Sequence, residues 1–284
     1  MNDAEAFQRC LTTIVATALQ EDIGEGDVTT QCLVEPSLPA DGKVIAKRRL
    51  VTAGYAAFKT VYTQLSGEIT CRFCADEGSC LQPGDCIAEL TGPYRTLLTG
   101  ERTALNFMQR LSGIATLTRT FVERTAPFGT VILDTRKTTP GLRLLEKEAV
   151  RIGGAQNHRM GLYDAILIKD NHIALCGSVT DAVQKAKKST GGSMKIEVEV
   201  ASLDQLHQAV AAGPDIIMLD NMSIDQIKEA VREVNGRVPI EASGNISLEN
   251  VEAIAAAGVD YISVGALTHS AQVADITMLL HPKK

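Results

Sequence analysis

From about residue 130 onward, short apolar runs alternate with amphipathic segments, and this alternation narrows the folds open to the chain more than any other feature. Runs at 130–133, 165–168, 196–200, 215–219, 239–242 and 260–264 predict six strands separated by helices. Strands joined by helical crossovers pair in parallel. A polar residue closes nearly every run, which favours a sheet curled into a barrel over an open one. Three helix openings read alike, SLDQL at Ser202, SIDQI at Ser223 and SLENV at Ser247, each with an amide side chain three places on (Gln205, Gln226, Asn250). Each serine is expected to accept a hydrogen bond from a first-turn N–H, with Gly213 and Gly258 as helix stops.

The first 115 residues follow another pattern. A helix is predicted over about 4–20, with Phe7, Leu11, Ile14, Val15, Ala18 and Leu19 on one face. The β-like runs KVIAKRRL, EITCRFC and DCIAEL follow, separated by the turn signals DG, PGD and TGP. This predicts a small α+β domain over 1–115, then a helix over about 97–120 leading into a barrel domain over 116–269.

Composition removes whole classes of function. With 45% hydrophobic and 22% charged residues the chain is globular rather than disordered or fibrous. No run approaches the roughly 18 apolar residues of a spanning helix. The opening MNDAEAFQRC carries acids where a secretion signal carries Lys or Arg, so a cytoplasmic protein with no membrane partner is expected. The net charge of −6 argues against a nucleic-acid partner. Seven cysteines, an odd number, are expected to be reduced thiols. Cys71, Cys74, Cys80 and Cys86 follow C-x2-C-x5-C-x5-C, which lacks the two close pairs of a structural zinc site. The acidic stretch EDIGEGDVTT from Glu21 lacks calcium-loop spacing and reads as a solvated turn.

The chemistry concentrates between Asp134 and Asp170, where seven Lys and Arg face five Asp and Glu, against the sign of the whole chain. Arg136 and Lys137 follow one strand and Lys169 the next, and a barrel brings neighbouring strand ends together. His158 and Arg159 stand in a glycine-bounded loop beside them. These groups suit a substrate bearing two carboxylates. In KIEVEV, Glu197 and Glu199 share one strand face, so both carboxylates point inward. Glu199 and Asp220, which ends the next strand, could hold ribose hydroxyls or Mg2+, unless Glu199 is tied to Lys195 or Arg136 in a structural ion pair. The last two strands end in ASGN (Ser243, Gly244, Asn245) and SVGA (Gly265), small residues that let backbone N–H groups approach a phosphate.

The chain resembles the quinolinate phosphoribosyltransferase family. The resemblance is carried in order by ERTALNFMQRLSGIAT, DTRKTTPGLR, NHRMGL, LIKDNHI, EVEV, MLDN, EASGNI and SVGALTHS. It departs at Gly153–Gly154–Ala155, where members often have a third glycine. The resemblance implies an α/β protein with an N-terminal α/β sandwich domain and an incomplete, roughly seven-stranded α/β barrel, the segment 270–284 joining the first domain. It implies transfer of phosphoribosyl from phosphoribosyl pyrophosphate to quinolinate with decarboxylation, and Mg2+ as cofactor. It also implies a homodimer, alone or in a larger assembly, in which Arg102 reaches the partner's site. On the same grounds Arg102, Arg136, His158, Arg159 and Lys169 would bind quinolinate. Lys137, Glu199 and Asp220 would serve phosphoribosyl pyrophosphate and its metal, with Ser243, Gly244 and Gly265 at the 5′-phosphate. Two alternatives stay open: a related transferase for another base, and a lyase forming a Schiff base at Lys169.

Overall fold

The structure is a computed structural model that describes residues 3–283; Met1, Asn2 and Lys284, which the expected domain boundaries include, lie outside the described residues. It divides into two units. The first takes in the chain up to Arg119, Thr139–Gly154 and the stretch from Ala271 onward. Its strands β1 (Pro39–Ala46), β3 (Thr70–Phe73) and β5 (Cys86–Pro93) arise from the three β-like runs, with the two-residue strands β2 (Leu50–Val51) and β4 (Cys80–Leu81) between them. Along β1, Ala40, Val44 and Ala46 are buried while Pro39, Asp41 and Lys43 are exposed, the alternation of a sheet with one face on the core. The helix Asp3–Ile23 buries Leu11, Val15 and Leu19, one residue per turn. Asp27, in the acidic stretch expected to be a turn, caps the short helix Val28–Leu33 by accepting from the Thr30 N–H at 3.0 Å.

The second unit, Thr120–Thr138 with Ala155–Ser270, holds all six expected strands. They are β6 (Val131–Leu133), β7 (Ile166–Ile168), β8 (Ile196–Val200), β9 (Ile216–Asp220), β10 (Ile240–Ser243) and β11 (Tyr261–Ser263). They form one parallel sheet in the order β6-β11-β10-β9-β8-β7, with helices between successive strands. A single parallel bridge, Leu133 to Gln156, stands beyond β6 at the seventh place of the incomplete barrel. The register sets Ser243 opposite Asp220 and Glu199 opposite Met218, so Ser243 and Asp220 share one level and Glu199 stands two residues further back on the same sheet face. The final strand, β12 (Ile276–Pro282), belongs to the first unit, where the antiparallel sheet runs β12-β1-β5-β3.

Two local expectations are corrected. Thr139–Gly154, read as barrel, belongs to the first unit. The buried Glu146 explains this: it accepts from Arg110 Nη2 at 2.8 Å and from the Thr139 N–H and hydroxyl, fixing the helix Arg143–Ile152 to the helix Tyr94–Thr125. Ser202 and Ser223 cap their helices as expected, but Ser247 does not. Its hydroxyl accepts from the Glu249 N–H and its N–H donates to Asn250 Oδ1, but the α-helix begins only at Val251, with Asn250 at the N-cap position.

Candidate active site

The strand ends of the second unit surround a cavity of about 610 Å3, within the size range of small-ligand sites. Arg136, Lys137, His158, Arg159, Lys169, Glu199, Asp220, Ser243 and Gly244, all singled out in the sequence, line it. Gly265 is not among the lining residues: a Cβ there would stand 3.0 Å from Lys137 Cδ and 3.1 Å from His269 Nε2, so its missing side chain makes room for the lysine stem. Arg102 is exposed on the helix Tyr94–Thr125 of the first unit and is not among the lining residues.

Burial, with Arg136 close by, lowers the Arg159 guanidinium pKa, and Arg159 Nη1 donates to the Ala165 carbonyl at 3.0 Å. Two cations held near each other create a field that a doubly charged anion would relieve. Lys169 Nζ lies 2.7 Å from Glu199 Oε2, so Glu199 is paired with Lys169. Asp220 supplies a further carboxylate on the wall.

At the small-residue lobe, Gly244 has φ +98°, and a Cβ would fall 2.3 Å from Asn221 Oδ1. Only glycine fits there. Asn221 and Asn245 are both left-handed, and Asn245 Nδ2 donates to Asn221 Oδ1 at 3.0 Å. Asn245 belongs to the ASGN segment already read as a phosphate approach, whereas Asn221 carries no role in the sequence reading, although an Asn after a strand-ending polar residue is a signal for a left-handed turn.

Beneath the cavity lies a polar layer built from Asp134, His158, Glu197 and Glu241. The fully buried Asp134 accepts from Asn157 Nδ2 at 2.7 Å and from the His158 N–H at 2.8 Å, tying the loop to the end of β6. His158 Nδ1 accepts from the Arg159 N–H at 2.7 Å. A backbone N–H can only donate, so the ring proton sits on Nε2, which lies 2.9 Å from Glu197 Oε2 and 3.8 Å from Glu241 Oε2. Both ring nitrogens are engaged within the protein. Glu197 points inward as expected; Glu241 does the same from β10 and was not foreseen, although it interrupts an apolar run just as Glu197 does.

Burial, followed by the charge of Glu197, pushes the Glu241 carboxyl up to about 8. The folded protein therefore keeps a proton that the unfolded chain releases. Stability from this group is full below the ordinary carboxylate range and is lost as pH rises toward about 8. Glu241→Gln removes that loss, so the difference in melting temperature, variant minus wild type, should increase from pH 5 to pH 9. A difference that stays constant with pH would show that Glu241 is already ionised at pH 5.

The chain matches two family models, "Quinolinate phosphoribosyl transferase, N-terminal domain" over residues 27–112 and "Quinolinate phosphoribosyl transferase, C-terminal domain" over residues 114–279. It is 48% identical over 259 residues to a probable nicotinate-nucleotide pyrophosphorylase (carboxylating) of Bacillus subtilis, covering 91% of this chain and 89% of that one. It is 42% identical to the nicotinate-nucleotide pyrophosphorylase (carboxylating) of Mycobacterium leprae, covering 92% and 94%. The solved nicotinate-nucleotide pyrophosphorylase of Francisella tularensis superposes with a TM-score of 0.93 at 42% identity, covering 96% of this chain and 97% of that one. Among the described residues no helix is long and apolar enough to cross a membrane.

Proposed function

This chain belongs to the quinolinate phosphoribosyl transferase family, and on that premise we propose that it transfers phosphoribosyl from phosphoribosyl pyrophosphate to quinolinate with loss of CO2. The products are nicotinate mononucleotide and pyrophosphate, a step of NAD synthesis that we place in the cytoplasm. The observation that carries this reading is one cavity in which Arg136, Arg159, Lys137 and Lys169 meet Glu199 and Asp220. The cations suit a dicarboxylate and a pyrophosphate, and the acids suit a sugar that develops positive charge.

In this reading Arg136, Arg159 and Lys169 grip the two carboxylates and aim the ring nitrogen at the anomeric carbon of the sugar. The nitrogen's lone pair forms the new C–N bond as the bond to pyrophosphate breaks. Lys137 faces the departing anion, and Ser243, Gly244 and Gly265 shape the 5′-phosphate lobe. The resulting pyridinium accepts the electron pair of the C2–carboxylate bond, CO2 leaves, and a proton takes its place. Much of the acceleration comes from positioning. His158, with both ring nitrogens engaged, serves the quinolinate pocket as its wall and as an anchor for Arg159 rather than through a ring N–H.

Glu199 and Asp220 offer oxygen ligands on one wall, a donor set that fits Mg2+, which binds through few carboxylates and keeps waters or phosphate oxygens. When bound there it would neutralise charge on the pyrophosphate. Glu199→Ala and Asp220→Ala should therefore raise KM for phosphoribosyl pyrophosphate at least tenfold while changing quinolinate affinity less; equal losses for both ligands would mark the two acids as structural. Lys169, with its Nζ engaged by Glu199 at 2.7 Å, is poorly set up as a Schiff-base nucleophile. A steady-state assay of pyrophosphate release tests the reading: turnover is expected with quinolinate and at most a trace with nicotinate. The reverse preference would assign the site to another base.

The reading includes a homodimer in which Arg102 of one subunit completes the quinolinate pocket of its partner.

A further inference from the structure

The cysteine-rich stretch of the first unit has no part in the chemistry above. Cys74 follows β3 and Cys86 opens β5, and these strands pair antiparallel with the Cys74 N–H donating to the Ile87 carbonyl at 2.9 Å. The two sulfurs lie 3.1 Å apart, about 1 Å beyond the ~2.05 Å of a disulfide bond. Cys74 is exposed and Cys86 half-buried. Cys71 and Cys80 share the motif, but the sulfur–sulfur contact joins Cys74 to Cys86.

The charges around this pair come from both strands and from β1. The Arg72 guanidinium is close enough to both sulfurs to feel their charge, and Lys43 favours the Cys86 thiolate while Glu89 opposes it. Burial pushes the Cys86 thiol up to about 11. The exposed Cys74 is thus the sulfur that meets an oxidant first, and Cys86 the one that resolves it. Glu89 stands within 4.8 Å of both sulfurs and would complete a three-ligand metal set. Its carboxylate, however, is bound by Arg72 and lies 3.7 Å from Lys43 Nζ, so it is already neutralised by two cations.

We propose that Cys74 and Cys86 form a redox site that a hydroperoxide converts to a disulfide bridging the end of β3 to the start of β5. The Cys74 thiolate attacks one peroxide oxygen, the O–O bond breaks, and the other oxygen leaves as an alcohol or water, giving a sulfenic acid. The Cys86 sulfur then attacks Cys74 Sγ; the S–S bond forms, the S–OH bond breaks, and hydroxide leaves with the Cys86 proton as water. Two thiols are oxidised by two electrons and one peroxide is reduced. The bridge joins positions 12 apart and restrains the unfolded chain.

The full chain, reduced and then exposed to hydrogen peroxide, is alkylated and mapped by peptide mass spectrometry. A linked Cys74–Cys86 peptide pair is expected, two hydrogens lighter than the reduced pair and reversed by dithiothreitol. It should persist in the C71S/C80S variant, with a melting temperature above that of the reduced protein. In Cys86→Ser, dimedone should trap a sulfenic acid at Cys74. Oxidation of Cys74 without a cross-link in the wild type, or linkage to Cys71 or Cys80 instead, would overturn the proposal. So would stoichiometric zinc in the purified protein that blocks the reaction.

Discussion

Mixing two nearly inactive variants, Arg102→Ala and Lys137→Ala, should return roughly a quarter of wild-type activity at free subunit exchange. In the proposed homodimer each site takes Lys137 from its own barrel and Arg102 from the partner. A mixed dimer then has one site lacking both groups and one lacking neither. Half of the dimers are mixed at equal input, and each has half of its sites intact. The Lys137 substitution is a clean one. Its backbone carbonyl is held by the Thr268 hydroxyl at 2.8 Å, and its stem runs over Gly265, so the loop does not depend on the side chain. No recovery despite demonstrated exchange would return Arg102 to its own subunit's surface.

Arg136→Ala and Lys169→Ala should each weaken quinolinate binding by about 1.5–3 kcal/mol, roughly 10- to 150-fold, because each leaves a carboxylate without a charge-assisted partner. The two should differ in a second measurement. Lys169 is also the cation on Glu199, at 2.7 Å, so removing it disturbs the acid wall that serves phosphoribosyl pyrophosphate. Arg136→Ala should leave the KM for phosphoribosyl pyrophosphate within a few-fold of wild type, whereas Lys169→Ala should raise it clearly. Calorimetry with quinolinate and kinetics with phosphoribosyl pyrophosphate separate the two effects. Unchanged quinolinate affinity in both variants would remove them from the site.

The strands of the second unit were legible because a buried parallel strand must be apolar and a helix must follow it, and both demands are written locally. The cations and acids at the strand ends were legible on equally local grounds: Arg136, Lys169 and Asp220 each follow or close an apolar run, and Glu199 alternates with the apolar residues of its strand. Glu241 was not, because its meaning lies in β8 and β10 flanking β9 and bringing it to Glu197 around His158. Sequence showed an acid in a strand but not the neighbour that makes it hold a proton. The engaged state of His158 was hidden likewise, since it depends on a 2.7 Å contact with the next residue's own backbone. Thr139–Gly154 was misplaced because the pairing of Glu146 with Arg110 spans 36 residues and has no local signature. Ser247 makes the local contacts that its sequence promises, its hydroxyl accepting from the Glu249 N–H and its own N–H donating to Asn250 Oδ1, but the α-helix starts only at Val251, a boundary those contacts do not set.

Quinolinate labelled separately in its 2- and 3-carboxylates tests the central claim most directly. With phosphoribosyl pyrophosphate and Mg2+, the protein should release one labelled CO2 per pyrophosphate from the 2-carboxylate, while every 3-carboxylate label stays in the mononucleotide. Pyrophosphate release with the 2-carboxylate label retained, or CO2 release without pyrophosphate, would contradict the coupled transfer and decarboxylation assigned to this cavity.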